Sequence, residues 1–349
     1  MKTVVVDINP ATRSAITGTE VYTRELCRRL KDAGPELSWR FVASRARVGL
    51  GVDVTVLPLR RLWSQVRLPI AMARTRADLL FVPAHAVPFA WPGRMLTVVH
   101  DLAFERYPQA YSARERIYLQ LSTRWAARRC PLLIAVSEST KADLVSIYGV
   151  APDRVRVVPL GVAAPGAAAP ASRLAELGLE GRFVLQVGRV EARKNQLAAQ
   201  AAVEQLDGVT LAVAGSERDP AIAATLRASP RCRVLGRVAP PTLELLYQRA
   251  GAVIVPSLYE GFGLPVLEAM ARGKVVVAAM TSSLPEVGGD AALYFHDAAG
   301  AAQLARVLEV ALGDKGLRTK LARAARARAG EFTWDRTAAG VVGVIRELI

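Results

Sequence analysis

The chain has little cysteine, little aromatic surface and almost no histidine. Its three cysteines, Cys27, Cys130 and Cys232, lie far apart and are odd in number. That excludes a disulfide framework and a cysteine metal cluster, and it reads as reduced, mostly buried thiols. Aromatic residues make up 6% of the chain and do not interleave with its cations. A stacking platform for single-stranded nucleic acid is therefore missing, and nucleic acid is not an expected partner. No metal-ligand spacing occurs among the three histidines and the acids, so no metal site is expected. No apolar run approaches the roughly 20 residues that cross a bilayer. The first residues lead straight into a strand pattern, so the reading is a cytoplasmic protein without a signal peptide. Internal repeats and low-complexity tracts are absent too.

What the chain has is apolar material and positive charge. Its 349 residues are 52% hydrophobic, which suits two domains with sizeable cores. The net charge of +15 is uneven: residues 1–165 hold 24 Lys+Arg against 13 Asp+Glu, a net of +11. A basic half marks an anionic partner, either an acidic substrate or a membrane surface. Arg60 to Arg76 mixes Leu62, Trp63, Val66, Leu68 and Ile70 with five arginines, interrupted by Pro69. It reads either as an amphipathic helix packed on a sheet or as a segment resting on anionic lipid head groups, at the inner face of a membrane.

Short apolar runs alternate with helical periodicity. The predicted strands of the first half are Lys2–Ile8, Trp39–Ser44, Val52–Leu57, Leu79–Pro83, Met95–Val99, Pro131–Ser137 and Val155–Pro159. Ala163 to Pro170, rich in Ala, Pro and Gly, is the linker signal, so the first domain ends near residue 165. The second set is Phe183–Val187, Val209–Ala214, Val234–Val238, Gly251–Val255, Lys274–Ala279 and Ala291–Phe295. Ser137 and Thr242 are predicted helix caps. Strands alternating with helices predict parallel sheets, an α/β chain that presents ligands to the C-terminal ends of its strands. The loop Asn9–Thr19 with Gly18 and the pair His100-Asp101 fall at such ends.

The densest chemical signal is Pro256-Ser257-Leu258-Tyr259-Glu260-Gly261-Phe262-Gly263-Leu264-Pro265-Val266-Leu267-Glu268. A buried strand runs into a glycine loop, and Pro265 stands where a helix starts. Such a helix end offers unpaired N–H groups and a positive dipole end, a site for phosphate. Two carboxylates bracket it, Glu260 and Glu268. A carboxylate beside a phosphate site suits the hydroxyls of a sugar. The stretch predicts a nucleotide-sugar pocket, with phosphate on the helix end, a ribose on one acid and a hexose on the other.

Glu260 and Glu268, with seven residues between them in Ser-Leu-Tyr-Glu-Gly-Phe-Gly-Leu-Pro-Val-Leu-Glu-Ala-Met-Ala-Arg-Gly, resemble the E-x7-E signature of the retaining GT-B glycosyltransferases of family 4, also called group 1. The likeness is strong over 183–297 and weaker before. It implies two Rossmann-like domains facing across a cleft. Residues 1–165 plus a C-terminal helix at 333–349 would bind the acceptor, and 166–332 the donor. It implies that Glu260 contacts the transferred sugar and Glu268 the ribose. Gly188-Arg189 followed by Lys194-Asn195 is similar to the family's basic pair, so Arg189 and Lys194 would stabilise the leaving diphosphate, with backbone N–H groups at Phe262, Gly263 and Leu264. His100 would lie near the donor sugar or the acceptor, and Val238 beside the base. Gly18 stands in a loop that in the family carries two glycines; one is missing here. The resemblance implies a front-face transfer assisted by the leaving phosphate, with no protein nucleophile, no metal and no cofactor beyond the nucleotide-sugar co-substrate. The versions Val-Val-His-Asp-Leu-Ala-Phe and Leu-Tyr-Glu-Gly-Phe-Gly-Leu-Pro resemble mannosyltransferase-like members, hence a lean to GDP-mannose, with UDP- and dTDP-sugars open. A glycan or lipid-linked acceptor fits the basic half. The rival reading is a non-catalytic two-domain protein that binds a nucleotide or polyanion.

Overall fold

The structure, a computed structural model, describes residues 1–12, 18–45, 50–57, 65, 68–84, 87–296 and 300–349. Two sequence expectations touch positions outside these residues: 13–17 in the loop Asn9–Thr19, and 60–64, 66 and 67 in the segment Arg60–Arg76. The chain forms two compact units, Met1–Gly161 with Phe332–Ile349, and Val162–Glu331.

Among the described residues the first unit holds seven strands: β1 (Thr3–Asp7), β2 (Ser38–Ala43), β3 (Val54–Val56), β4 (Leu79–Val82), β5 (Met95–Val99), β6 (Leu133–Ala135) and β7 (Val155–Val157). They form one sheet in the order β3-β2-β1-β4-β5-β6-β7, with every pairing parallel. A parallel sheet is covered on both faces, so its strands are continuously apolar rather than alternating. Val4–Val6, Leu79–Val82 and Met95–Val99 obey this and are buried throughout. Ser137 caps the helix Glu138–Tyr148 by accepting from Thr140 N, and Gly149 closes it at φ 64°, where a side chain would be strained. The last helix, Trp334–Leu348, packs on the helix Gly18–Ala33. Gly161 makes room for it: a methyl group there would stand 2.2 Å from Trp334 N.

Among the described residues the second unit has six strands: β8 (Arg182–Val187), β9 (Val209–Ala214), β10 (Cys232–Gly236), β11 (Ala252–Val255), β12 (Val276–Ala279) and β13 (Leu293–Phe295). Their order is β10-β9-β8-β11-β12-β13, again all parallel. The order reverses between β8 and β11, as it does between β1 and β4 in the first unit. Doubly wound sheets bind ligands in the crevice beyond the strand ends at such a point.

The structure corrects two local expectations and adds the helices Ala103–Arg106, Arg173–Glu176 and Pro220–Ala228. The strand expected at Val234–Val238 lies two residues earlier, because Gly236 turns to φ 64° and ends it. Thr242 does not cap a helix; it is buried inside Pro240–Arg249, which starts on two prolines behind Ala239. The helix Pro220–Ala228 carries readable signals, a cap at Asp219 and Pro220 in the first turn, yet its short alanine-rich pattern gave no strong periodicity.

Candidate functional site

The site is assembled from the loops that follow β8, β11 and β12. The loop after β8, Gly188 to Asn195, is held by its own flanks. Gln196 donates to Arg189 O at 2.7 Å and Gln186 donates to Lys194 O at 2.7 Å. Asn195 sits at φ 54° and precedes the helix Gln196–Val203; asparagine tolerates that left-handed turn better than most residues. The same loop is stitched to the one after β11. Leu258 N donates to Arg193 O at 2.9 Å, and the Asn195 amide donates to Pro256 O at 3.1 Å. From the loop after β12, Ser282 accepts Glu260 N–H at 2.8 Å and Ser283 donates to Glu260 O at 3.0 Å. Glu260 is thus gripped through both of its backbone groups.

Close backbone approach completes the frame. Gly188 N donates to Ala214 O at 2.9 Å, so the ends of β8 and β9 touch. A methyl group on Gly215 would lie 1.9 Å from Gly188 O. We predict that Gly215→Ala destabilises the protein by about 1–3 kcal/mol and displaces Gly188-Arg189. Thermal denaturation and crystallography of the variant would check this; an unchanged melting point would contradict it.

Charge is concentrated on four side chains. Lys194 Nζ is 2.5 Å from Glu260 Oε1, and Arg193 is 3.3 Å from Glu260 Oε2 and 2.8 Å from Glu191. Arg193 also donates to Tyr259 O at 2.7 Å. Glu191, Arg193 and Glu260 are buried. Burial pushes the Glu260 pKa up, but the neighbouring Lys194 and Arg193 outweigh it and bring it to about 2, so Glu260 is a carboxylate at any ordinary pH. Burial depresses the Lys194 ammonium, while Glu260 works to restore it. Arg193 was missed in the sequence. Its one signal there was position, between Glu191 and Lys194 in a loop already under suspicion.

Glu268 stands on the helix Leu264–Ala271, which begins after Gly263 at φ 103° with Pro265 in the first turn. The first N–H groups of a helix have no intrahelical acceptor, so this end offers donors. Tyr247 donates to Glu268 at 2.7 Å. Burial raises the Glu268 pKa, against the pull of Tyr247 and Arg272. Arg272 lies over the Tyr247 ring at 4.9 Å, bonds Glu268 O and pairs with Glu244 at 2.7 Å. Tyr247 lies one helix before the motif, and no pattern marked it; Arg272 stands inside the 257–273 stretch that carries the resemblance, where the sequence alone assigns it no role.

The structure therefore brings Lys194, Glu260 and the Gly263 turn into one frame within the second unit. Arg189 is in the same loop, but its side chain is exposed and forms no ion pair among the described residues. Phe262 is buried and Leu264 half-buried. Val238 follows β10 by two residues and is half-buried. Gly18 and His100 belong to the first unit. Gly18 opens the helix Gly18–Ala33 and is exposed. His100 follows β5; its Nε2 lies 3.0 Å from Pro83 O. A carbonyl only accepts, so that nitrogen carries the proton. Tyr22 meets the ring edge-on at 4.9 Å. Asp101 turns instead to Ala103 N at 3.0 Å.

Two doubly wound parallel α/β units, one with acids framing a glycine-led helix end, define the GT-B class of fold. The chain belongs to the group 1, family 4 glycosyltransferases: the model of "Glycosyltransferase Family 4" matches residues 16–164 and that of "Glycosyl transferases group 1" matches 175–328. Among curated relatives, a D-inositol 3-phosphate glycosyltransferase of Acidothermus cellulolyticus is 37% identical over 233 residues, 59% of this chain. The match spans 51% of that relative, about half its length. The O-antigen chain mannosyltransferase B of Escherichia coli is 29% identical over 72% of this chain and 70% of its own. Among solved structures, HepE of Anabaena in complex with UDP and glucose superposes with a TM-score of 0.79 at 18% identity, covering 99% of this chain and 100% of that one. No helix among the described residues is long and apolar enough to cross a membrane.

Proposed function

We propose that this protein is a retaining hexosyltransferase that moves a sugar from a nucleotide diphosphate-sugar to a glycan or lipid-linked acceptor. The second unit takes the donor and the first the acceptor. One observation carries the reading: the loops after β8 and β11, at the point where strand order reverses, hold Lys194 against Glu260 beside the Gly263 helix end. In this reading the diphosphate lies on that helix end. As the glycosidic bond breaks, charge grows on the leaving phosphate, and Lys194 and Arg189 stabilise it. These cations do the work that a metal ion would otherwise do. Glu260, kept ionised, accepts hydrogen bonds from the sugar hydroxyls. Glu268 accepts from the ribose, steadied by Tyr247. The donor base packs at Val238, and His100 meets the sugar or the acceptor. No protein nucleophile is assigned; the leaving phosphate assists removal of the acceptor proton.

The names of the mannosyltransferase relatives support GDP-mannose as the donor, and the UDP and glucose held by HepE support keeping UDP-glucose beside it. A thermal-shift series with GDP, UDP, ADP and dTDP decides between them. A ligand at a hundredfold excess over its Kd adds about 2.7 kcal/mol of stability. GDP is expected to raise the melting point most, Glu268→Ala to abolish most of that rise, and GDP-mannose incubated with an acceptor to release GDP. No shift with any nucleotide would end the proposal.

A further inference from the structure

The second unit has a hollow at the end of its sheet away from the Glu260 loops. β11 and β12 are parallel neighbours, and their C-terminal ends lead to Glu260 and to Ser282. Their N-terminal ends, with the first turns of the helix Lys315–Ala329, border a cavity of about 410 Å³, within the usual size of small-molecule sites. Lys274, Lys315, Arg318 and Thr319 line it; the rest of the wall is alanine, glycine and Val275, with no acid and no aromatic ring. A fourth cation stands at its edge, since a methyl group on Gly273 would run into the Arg326 guanidinium. None of the four cations forms a salt bridge among the described residues. The helix Lys315–Ala329 itself carries six Lys and Arg and no acid. The nearby carboxylates are engaged: Glu244 pairs with Arg272, Glu268 accepts from Tyr247, and Asp314 caps the helix at Leu317 N, 2.8 Å away.

We propose that this hollow binds a small phosphate-bearing anion, at a site separate from the donor frame. Lys274 is half-buried and donates to Gln248 O at 3.1 Å, which uses one of the three N–H groups of an ammonium. Arg318 bonds Leu312 O and keeps further donors of its fork. Lys315 and Arg318 lie one turn apart, so both reach the same hollow. Phosphate oxygens would take these donors, and the Thr319 hydroxyl would add one more. Like charges gathered without an acid repel one another. Burial, and then the charge of Arg326, lower the Lys274 pKa from its ordinary value; an anion in the hollow would offset that repulsion. The wall has no ring on which a base could stack. The fitting class is therefore phosphate or pyrophosphate, free or carried by a small metabolite, rather than a nucleotide. The site shares no residue with the donor frame and needs no turnover, so it stands or falls apart from the transfer reaction.

The test titrates the full chain with inorganic phosphate and with pyrophosphate in a calorimeter. Both are expected to bind, pyrophosphate more tightly, and both more weakly as salt is raised. Lys274→Gln with Arg318→Gln should lower the affinity by roughly tenfold or more, the usual scale for losing hydrogen bonds to a charged group. The double variant removes two of four like charges, so it should melt close to wild type in anion-free buffer. Lys315→Glu, at an exposed position, is a second variant that should weaken binding without touching the fold. Either anion could also settle on the Gly263 helix end, so crystals soaked in tungstate, a heavy phosphate mimic, locate it directly. Tungstate between Lys274 and Arg318 is the expected result. Tungstate found only at the Gly263 end would overturn the proposal and leave the donor reading in place. Tungstate in the hollow without binding in solution would be an adventitious ion only, and would overturn it too. So would wild type that ignores both anions at millimolar concentration, or folded variants that bind them as wild type does.

Discussion

Lys194→Ala is expected to lower turnover by roughly a hundredfold or more, the usual cost of removing a preorganised donor of charge to a transition state. Lys194 is 12% exposed and lies against Glu260, so its ammonium is held in place before any donor arrives. A cation that needs no reorganisation is worth most when negative charge appears beside it. Glu260 keeps Arg193 in the variant, so the loop should stay folded. The measurement is steady-state turnover of the best donor from the thermal-shift series, with the melting point recorded in parallel. Near-normal kcat in a folded variant would remove Lys194 from the chemistry. A rise in KM with kcat unchanged would give it a binding role only.

The second large effect is on stability. Arg193→Met should destabilise the second unit by about 3 kcal/mol, because breaking a buried charge pair leaves its partner charged and unsolvated. The side chains of Arg193, Glu191 and Glu260 are 8%, 6% and 8% exposed. Lys194 still serves Glu260, so Glu191 is the carboxylate left alone. For a unit of this size the melting point should fall by roughly 6–12 °C. The folded Glu260 pKa lies at about 2, so its stabilising pairing is complete above the usual carboxylate range and is lost as pH falls toward 2. An Arg193→Met variant as stable as wild type would mean that water reaches this cluster.

Much of this was legible in the chain. Met95–Val99 and Val209–Ala214 stand where the sequence pattern places them, because parallel strands buried on both faces leave a run that is apolar but for one threonine in each. The helix after Gly263 announces itself through Gly263 and Pro265, two residues with narrow backbone uses. Glu260 and Glu268 were visible because they flank that turn. Arg193 and Tyr247 were not. Each acts through a partner distant in sequence, with Arg193 reaching Glu260 across 67 positions and Tyr247 reaching Glu268 across 21.

The residue pattern alone determined the class of fold and the location of the phosphate-type turn, since periodicity, glycine and proline act locally. Which of the three cations Arg189, Arg193 and Lys194 are buried and which stays in water was decided only by tertiary structure. Arg193 and Lys194 turn inward because the loop after β11 brings Glu260 to them, and Arg189 stays exposed because no carboxylate pairs with it among the described residues. Charge pairing is a matter of distance in space, and the chain reveals distance only along itself.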